Sequence, residues 1–243
     1  MRCAPRAAFP ASRRSPTSAM EPRNRRPRVR PAGIIVTRVR RPAIRTAQVT
    51  VLFADLRGYT GLAERLSAAR VVPLLDEFLR TLAAAAERFG GTIFHMAGDG
   101  LMAGFAVDDE RGNGAREALA AGRAMLEEFA PIAARWRKEL KIEAGIGVGL
   151  HLGDVAVGAL GPSGLQAITL IGDTVNVAAR LCSRARAGEV LFSCTVAAAL
   201  EIAGATPTAA GEVPFLQLPQ FELRGRRGPI DIWCVPAASR LAL

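Results

Sequence analysis

VTVLFADLRGYT, residues 49–60, joins a run of apolar, β-favouring residues to a turn and to the start of a helix. The run up to Asp55 predicts a buried strand. The segment from Arg57 through Gly58, Tyr59 and Thr60 predicts the turn, with Thr60 placed to cap the helix. Free amides at a helix start form a cradle that suits phosphate. Gly58, Tyr59 and Thr60 are therefore candidate binding residues.

The rest of the chain alternates strand and helix patterns. Helices are predicted over 70–88, 113–129 and 174–184, and Pro131 is expected to end or restart the second. Strands are predicted over 92–96, 101–106, 142–153, 155–158, 168–171, 190–192, 213–218 and 230–235. This order predicts an α+β fold, in which helices pack on one face of the sheet.

The strand predicted over 142–153 has one face made of glycine. Its apolar residues alternate strictly with Gly145, Gly147, Gly149 and Gly153. A face without side chains allows another backbone, a ligand or a partner subunit to come close. The pattern does not choose among these three.

Two carboxylates are candidates for a metal site. Asp55 ends the first strand, and Asp99 lies at the tip of the hairpin predicted around 98–100. If the first strand pairs beside that hairpin, both acids reach the same edge of the sheet. Two carboxylates and the Leu56 carbonyl would suit Mg²⁺, which commonly takes one or two protein carboxylates. The alternative is that Asp55 caps a helix and Asp99 only makes a turn.

Two further groups of polar residues are candidates for binding a nucleotide. Asn176 and Arg180 lie four residues apart on one predicted helix and share a face. An amide and a guanidinium there suit a ribose oxygen and a phosphate. Arg224 belongs to a short basic turn before the last strand. Either group could instead be a solvated surface.

Charge is concentrated at the N-terminus. Residues 1–45 hold thirteen Arg and one acid, a net charge of +12, whereas residues 46–243 carry a net charge of −2. The arm over 1–45 is predicted to be disordered, either as a solvated tail or as a contact to nucleic acid or an anionic membrane. The near-neutral body argues against a basic nucleic-acid-binding domain.

Cysteine spacing and hydropathy narrow the class of protein further. The four cysteines include no CxxC pair, which argues against a disulfide framework or a zinc site. No apolar run reaches the roughly 18–20 residues of a membrane helix. We therefore expect a cytoplasmic protein with no transmembrane segment.

Three blocks in the chain resemble the signature blocks of the class III nucleotide cyclases. They are VLFADLRGYT (51–60), GDGLMAGF (98–105) and GDTVNVAARL (172–181), in the family's order. The resemblance runs from about residue 46 to residue 236, so residues 46–243 are interpreted as a cyclase catalytic domain. It implies the ferredoxin-like (palm-type) core of that family.

The resemblance also implies a reaction and an assembly. A homodimer would carry two active sites at its interface, each with two Mg²⁺ or Mn²⁺ ions held by Asp55, Asp99 and the Leu56 carbonyl. The other subunit would supply Asn176 and Arg180. The expected enzyme is an adenylate cyclase, a phosphorus–oxygen lyase that converts ATP to cyclic AMP and pyrophosphate. Arg224 matches the basic residue that binds the terminal phosphates in this family.

Base choice is where the sequence departs from the family. The residue three positions before Gly98 is typically Lys in adenylate cyclases and Glu in guanylate cyclases, and here it is His95. The second base-reading position is Thr169. A threonine at this position resembles a subgroup of bacterial adenylate cyclases. A neutral His can both donate and accept a hydrogen bond. There are therefore two alternatives. One is a guanylate or relaxed-specificity cyclase, and the other is a catalytically silent nucleotide-binding or dimerisation module.

Overall fold

The structure is a computed structural model that describes residues 44–109, 112–162, 166–202, 215–222 and 228–236. The predicted arm, apart from its last two residues, and the predicted phosphate-binding Arg224 lie outside these ranges. Among the described residues, no helix combines the length and the apolar character needed to cross a bilayer.

The described residues form eight strands and five helices. The strands are β1 (Arg45–Arg57), β2 (Thr92–Ala97), β3 (Gly100–Phe105), β4 (Gly145–Leu160), β5 (Ala167–Ile171), β6 (Glu189–Ser193), β7 (Leu216–Glu222) and β8 (Pro229–Val235). The helices are α1 (Tyr59–Arg65), α2 (Ala68–Arg88), α3 (Ala115–Leu140), α4 (Asp173–Arg184) and α5 (Cys194–Ala199). The short helix α5 had no counterpart in the sequence prediction.

All eight strands belong to one mixed sheet. Seven follow the order β2-β3-β1-β4-β6-β8-β7, and β5 pairs with β4 off this path. The β4–β6 pair is parallel, and the other pairs are antiparallel. Strand β1 therefore lies between β3 and β4, near the middle of the sheet.

Strand β4 corrects the prediction of two strands over 142–153 and 155–158. It runs unbroken from Gly145 to Leu160, and β1 pairs with it along its length, from Arg45 opposite Val157 to Arg57 opposite Gly145. A Cβ atom on Gly153 would lie 2.7 Å from the Thr174 Oγ1 atom. That glycine marks the close approach of helix α4, and not a turn.

Helix α3 corrects the prediction for Pro131. The helix continues through this exposed proline to Leu140. Phe129 and Trp136, on either side of it, are buried and pack edge to face, with ring centroids 5.3 Å apart. Packing on both sides of the proline holds the helix together, although the proline removes one backbone donor.

Helices cover both faces of the sheet. The α+β class is confirmed, but the prediction that the helices pack on one face of the sheet holds for α2 and α3 and is wrong for α4. Helix α4 packs on the opposite face: a Cβ on Gly149 of β4 would lie 2.1 Å from the Cys182 amide nitrogen and 2.4 Å from the Ala178 carbonyl oxygen. The glycine face of β4 therefore receives another backbone, that of α4 in the same chain.

The approach of α4 predicts a cost for any side chain at position 149. We expect Gly149→Ala to lower the free energy of unfolding by about 3 kcal/mol, because the new methyl group would overlap the α4 backbone. Gly61→Ala is the matched control, because nothing lies within 4 Å of a Cβ there. Urea denaturation measures both changes. Equal stabilities of the two variants would contradict this packing.

Candidate active site

Asp55 lies where three strands of the sheet meet. It pairs with Gly100 on β3 and with Gly147 on β4. Asp99 occupies the turn between β2 and β3, and its carbonyl accepts a hydrogen bond of 2.9 Å from the Leu56 amide. The pairing of β1 with β3 therefore brings Asp55 and Asp99 to the same edge of the sheet.

The surroundings of Asp55 act on its pKa in opposite directions. Burial raises the pKa of the Asp55 carboxyl above its ordinary value, the Arg57 guanidinium opposes that rise, and the negative charge of Asp99 adds to it. Asp55 also forms an ion pair with Arg57. A partly buried carboxylate close to a second one is stabilised by additional positive charge.

The available donors fit Mg²⁺ or Mn²⁺. In the described parts of the chain, no three side chains of His, Cys, Asp or Glu converge as a metal cluster would require. The donors at this edge are the carboxylates of Asp55 and Asp99 and the nearby Leu56 carbonyl. Mg²⁺ commonly binds one or two carboxylates and takes its other ligands from water and substrate phosphates.

The turn after Asp55 depends on Gly58. Its backbone has a φ angle of 93°, and a Cβ atom there would lie 2.1 Å from the Glu143 carbonyl oxygen. Gly58 is also the N-cap of α1, so the prediction that Thr60 caps this helix is wrong. Thr60 lies within the first turn because the left-handed Gly58 starts the helix earlier. Gly58, Tyr59 and Thr60 remain together at the helix start.

His95 and Asp55 line the same small cavity, which has a volume of about 280 Å³. His95 is exposed and lies on β2, where the pairing with β3 becomes irregular after Ile93. On the opposite side the cavity is lined by Ala179, Cys182 and Ser183 of α4. The cavity thus lies between the end of β1, the β2–β3 hairpin and helix α4.

The other predicted residues do not line this cavity. Thr169 lies on β5 opposite Gly158 and is half-buried. On α4, Asn176 is exposed and Arg180 is half-buried, whereas the inward face of the helix is fully packed. Within one chain, the acidic residues and the Asn176–Arg180 pair are therefore separate parts of the predicted site.

A larger cavity lies elsewhere. It has a volume of about 620 Å³ and is bordered by Arg184, Leu216 and Ile232. None of the predicted site residues lines it. The chemistry-bearing residues therefore identify the smaller cavity as the candidate site.

Sequence analysis missed two residues next to Asp55. Arg57 contacts the Asp55 carboxylate and the C-terminal end of α4. Cys182 is buried beside it and donates to the Gly147 carbonyl at 3.3 Å. Burial raises the pKa of the Cys182 thiol to about 12, so the thiol stays neutral at physiological pH. The available signal was that Arg57 is two residues from Asp55 and so lies on the same face of β1.

Comparison with curated proteins identifies relatives, one of which is named as an adenylate cyclase. An adenylate cyclase of Anabaena cylindrica is 31% identical over 147 residues, which are 57% of this chain and 28% of that protein. An uncharacterised protein of Mycobacterium tuberculosis is 36% identical over 136 residues, which are 56% of this chain and 24% of that protein. The aligned part of the chain spans about a quarter of the length of these relatives.

Comparison with solved structures gives the same class of fold. The adenylyl cyclase CyaB from P. aeruginosa superimposes with a TM-score of 0.72 at 28% identity, covering 80% of this chain and 96% of that one. The guanylyl cyclase Cya2 superimposes with a TM-score of 0.68 at 25% identity, covering 80% and 94%. The family model of the adenylate and guanylate cyclase catalytic domain matches residues 42–235. This chain therefore belongs to the class III adenylate and guanylate cyclase catalytic domain family.

Proposed function

We propose that the protein is a metal-dependent cyclase that converts ATP to 3′,5′-cyclic AMP and pyrophosphate at the interface of a homodimer. The observation that carries the proposal is the placement of Asp55 and Asp99 at one sheet edge, joined through the Leu56–Asp99 hydrogen bond. Family membership supplies the reaction class. The two carboxylates and the Leu56 carbonyl are the oxygen ligands that a divalent cation such as Mg²⁺ prefers.

The chemistry transfers the α-phosphorus of ATP from one oxygen to another. The ribose 3′-oxygen forms a bond to the α-phosphorus, the bond to the bridging oxygen breaks, and pyrophosphate leaves as the hydroxyl proton passes to solvent. Two Mg²⁺ or Mn²⁺ ions, when bound, would make the hydroxyl more acidic and offset the phosphate charge. Asp55, Asp99 and the Leu56 carbonyl would hold these ions.

The remaining predicted residues would bind and orient the nucleotide. The backbone amides of Gly58, Tyr59 and Thr60 would donate hydrogen bonds to phosphate oxygens at the start of α1. In the same proposal, Asn176 would orient the ribose, and Arg180 would stabilise the charge that develops on the phosphate. Arg224 would contact the terminal phosphates.

The positions of these groups support the proposal of a shared site. The cavity that contains Asp55 and His95 is lined by the inward-facing α4 residues Ala179 and Cys182, and Asn176 and Arg180 are absent from its lining. A second copy of the chain can offer the exposed part of its own α4 to this edge. Two identical chains arranged about a twofold axis would then complete two sites.

ATP is the favoured substrate, and the cavity containing His95 makes GTP the specific alternative. His95 and Asp55 line the same cavity, and this supports a role for the imidazole in binding the nucleotide base. The ring can donate to or accept from a base edge. Thr169 has the same ambivalence through its hydroxyl group. The Anabaena cylindrica relative, named as an adenylate cyclase, supports the choice of ATP.

Turnover by the purified full chain tests the proposal. With Mn²⁺ we expect ATP to yield cyclic AMP and pyrophosphate, and we expect Asp99→Ala to lower the rate by at least about a hundredfold, since metal assistance is worth several kcal/mol. Asp76→Ala is the control, because Asp76 pairs with Arg80 on the surface of α2. A folded dimer that forms no product from ATP or GTP would indicate a silent nucleotide-binding module.

Mixed dimers test the shared site. Asp99→Ala and Asn176→Ala homodimers should both lose activity, because each lacks one component at both sites. A purified heterodimer of the two variants should recover about half the wild-type activity, since one of its two sites is intact. Product formation by separately tagged, co-purified chains measures this recovery. An inactive heterodimer made from individually folded chains would contradict the shared geometry.

A lysine in place of His95 tests base reading. The ammonium group can donate to the acceptor nitrogen of adenine but meets a donor at the corresponding position of guanine. We expect His95→Lys to raise the ratio of ATP to GTP turnover by about tenfold. Thr92→Lys, at the exposed start of the same strand, is the matched control. An unchanged ratio would remove His95 from base selection.

A further inference from the structure

Arg57 connects the end of β1 to the end of α4. Its Nε atom donates to the Ala185 carbonyl at 2.9 Å, and its Nη2 atom donates to the Cys182 carbonyl. Its Nη1 atom donates to Oδ2 of Asp55. One half-buried side chain, 24% exposed, therefore contacts the candidate metal site and a helix terminus together.

The helix contacts have a clear physical cause. The last carbonyls of a helix lack partners within the helix and form the negative end of its dipole. Cys182 lies in the final turn of α4, and Ala185 is the C-cap residue. A guanidinium carries its donors in a planar fork, which allows it to satisfy two carbonyls and a carboxylate at once.

Gly147 provides the space for this connection. A Cβ atom at position 147 would lie 2.6 Å from the Arg57 Nη2 atom, 2.7 Å from its Nε atom and 2.8 Å from the Ala185 carbonyl oxygen. The guanidinium thus passes beneath α4 only because residue 147 has no side chain. The connection is built into the sheet, unlike a surface ion pair between two mobile side chains.

We propose that Arg57 is a positioning residue that fixes the Asp55 carboxylate and the last turn of α4 relative to each other. Oδ2 of Asp55 is held by Arg57, while Oδ1 lies 3.4 Å from the Cβ position of Gly100, beside the turn that carries Asp99. The ion pair with Oδ2 therefore leaves Oδ1 beside Gly100, the residue that follows Asp99.

A consequence for the dimer rests on the proposed function. In that proposal, α4 supplies Asn176 and Arg180 to one site, while Asp55 of the same chain serves the other site. Arg57 then links the metal-binding part of one site to the ribose-binding and phosphate-binding helix of its neighbour. A substitution at Arg57 is therefore expected to affect both sites. It would alter metal binding by Asp55 at one site and the position of α4 at the other.

Two measurements without turnover test the positioning of Asp55 and α4. In the full-length chain carrying Arg57→Met, we expect the Mn²⁺ concentration for half-saturation to rise about tenfold, because carboxylate ligands lose affinity when their hydrogen-bonded support is removed. The electron paramagnetic resonance signal of free Mn²⁺ measures this. Amide hydrogen exchange should accelerate in the last turn of α4. An unchanged value of either quantity in the folded variant would overturn the proposal.

Two further variants sharpen this test. Arg135→Met removes a surface arginine that pairs with Glu77, and it should change neither measurement. Arg57→Lys keeps the positive charge beside Asp55 but lacks the fork that reaches both carbonyls. We expect it to accelerate α4 exchange even if Arg57→Met fails to fold. Wild-type exchange in Arg57→Lys would overturn the helix contact.

A heterodimer tests the link between sites. Arg57→Met is added to the Asp99→Ala chain, which gives only its α4 residues to the working site. We expect product formation to fall about fivefold while the Mn²⁺ requirement stays unchanged. Full activity would overturn the link. Inactivity of the parent heterodimer would instead count against the proposed function, and the binding and exchange measurements would still test the positioning of Asp55 and α4.

Discussion

The hydrogen bond from the Leu56 amide to the Asp99 carbonyl ties the end of the central strand to the β2–β3 turn. It follows from the antiparallel pairing of β1 with β3, which places Asp55 opposite Gly100. The Asp55 Oδ1 atom lies 3.4 Å from the position of a Cβ atom on Gly100, so the carboxylate lies directly beside the β2–β3 turn. The candidate metal site and the cavity beside it both depend on this pairing.

The face of the sheet that α4 covers is shaped by glycine residues of β4, which have no side chains. Gly149 lets the α4 backbone reach the sheet, and Gly147 lets Arg57 pass beneath the end of that helix. These two contacts hold α4 against the strand while leaving Asn176 exposed. The helix is thereby fixed on one side and available to a second chain on the other, as a site shared by two chains would require.

The sequence was sufficient to predict those elements whose structure is determined by a local pattern of residues. The apolar run of β1 and the turn signal around Asp99 predicted the strand and the hairpin, and the two acids were expected at one edge on the condition that these elements pair, which they do. The prediction ended a strand at Gly153, although this glycine lies inside β4 and admits the neighbouring helix α4. Arg57 lies 128 residues from Ala185, so their contact has no local pattern. The burial of Phe129 and Trp136 in the core overrode the break expected at Pro131.

The joint binding of a divalent cation by Asp55 and Asp99 is the central claim. It is tested most directly by titrating wild type and Asp55→Asn with Mn²⁺ in the presence of a non-cyclisable ATP analogue, following free Mn²⁺ by electron paramagnetic resonance. Saturable binding in the wild type that weakens at least about tenfold in the variant is the expected result. Equal binding by the two proteins would contradict the claim.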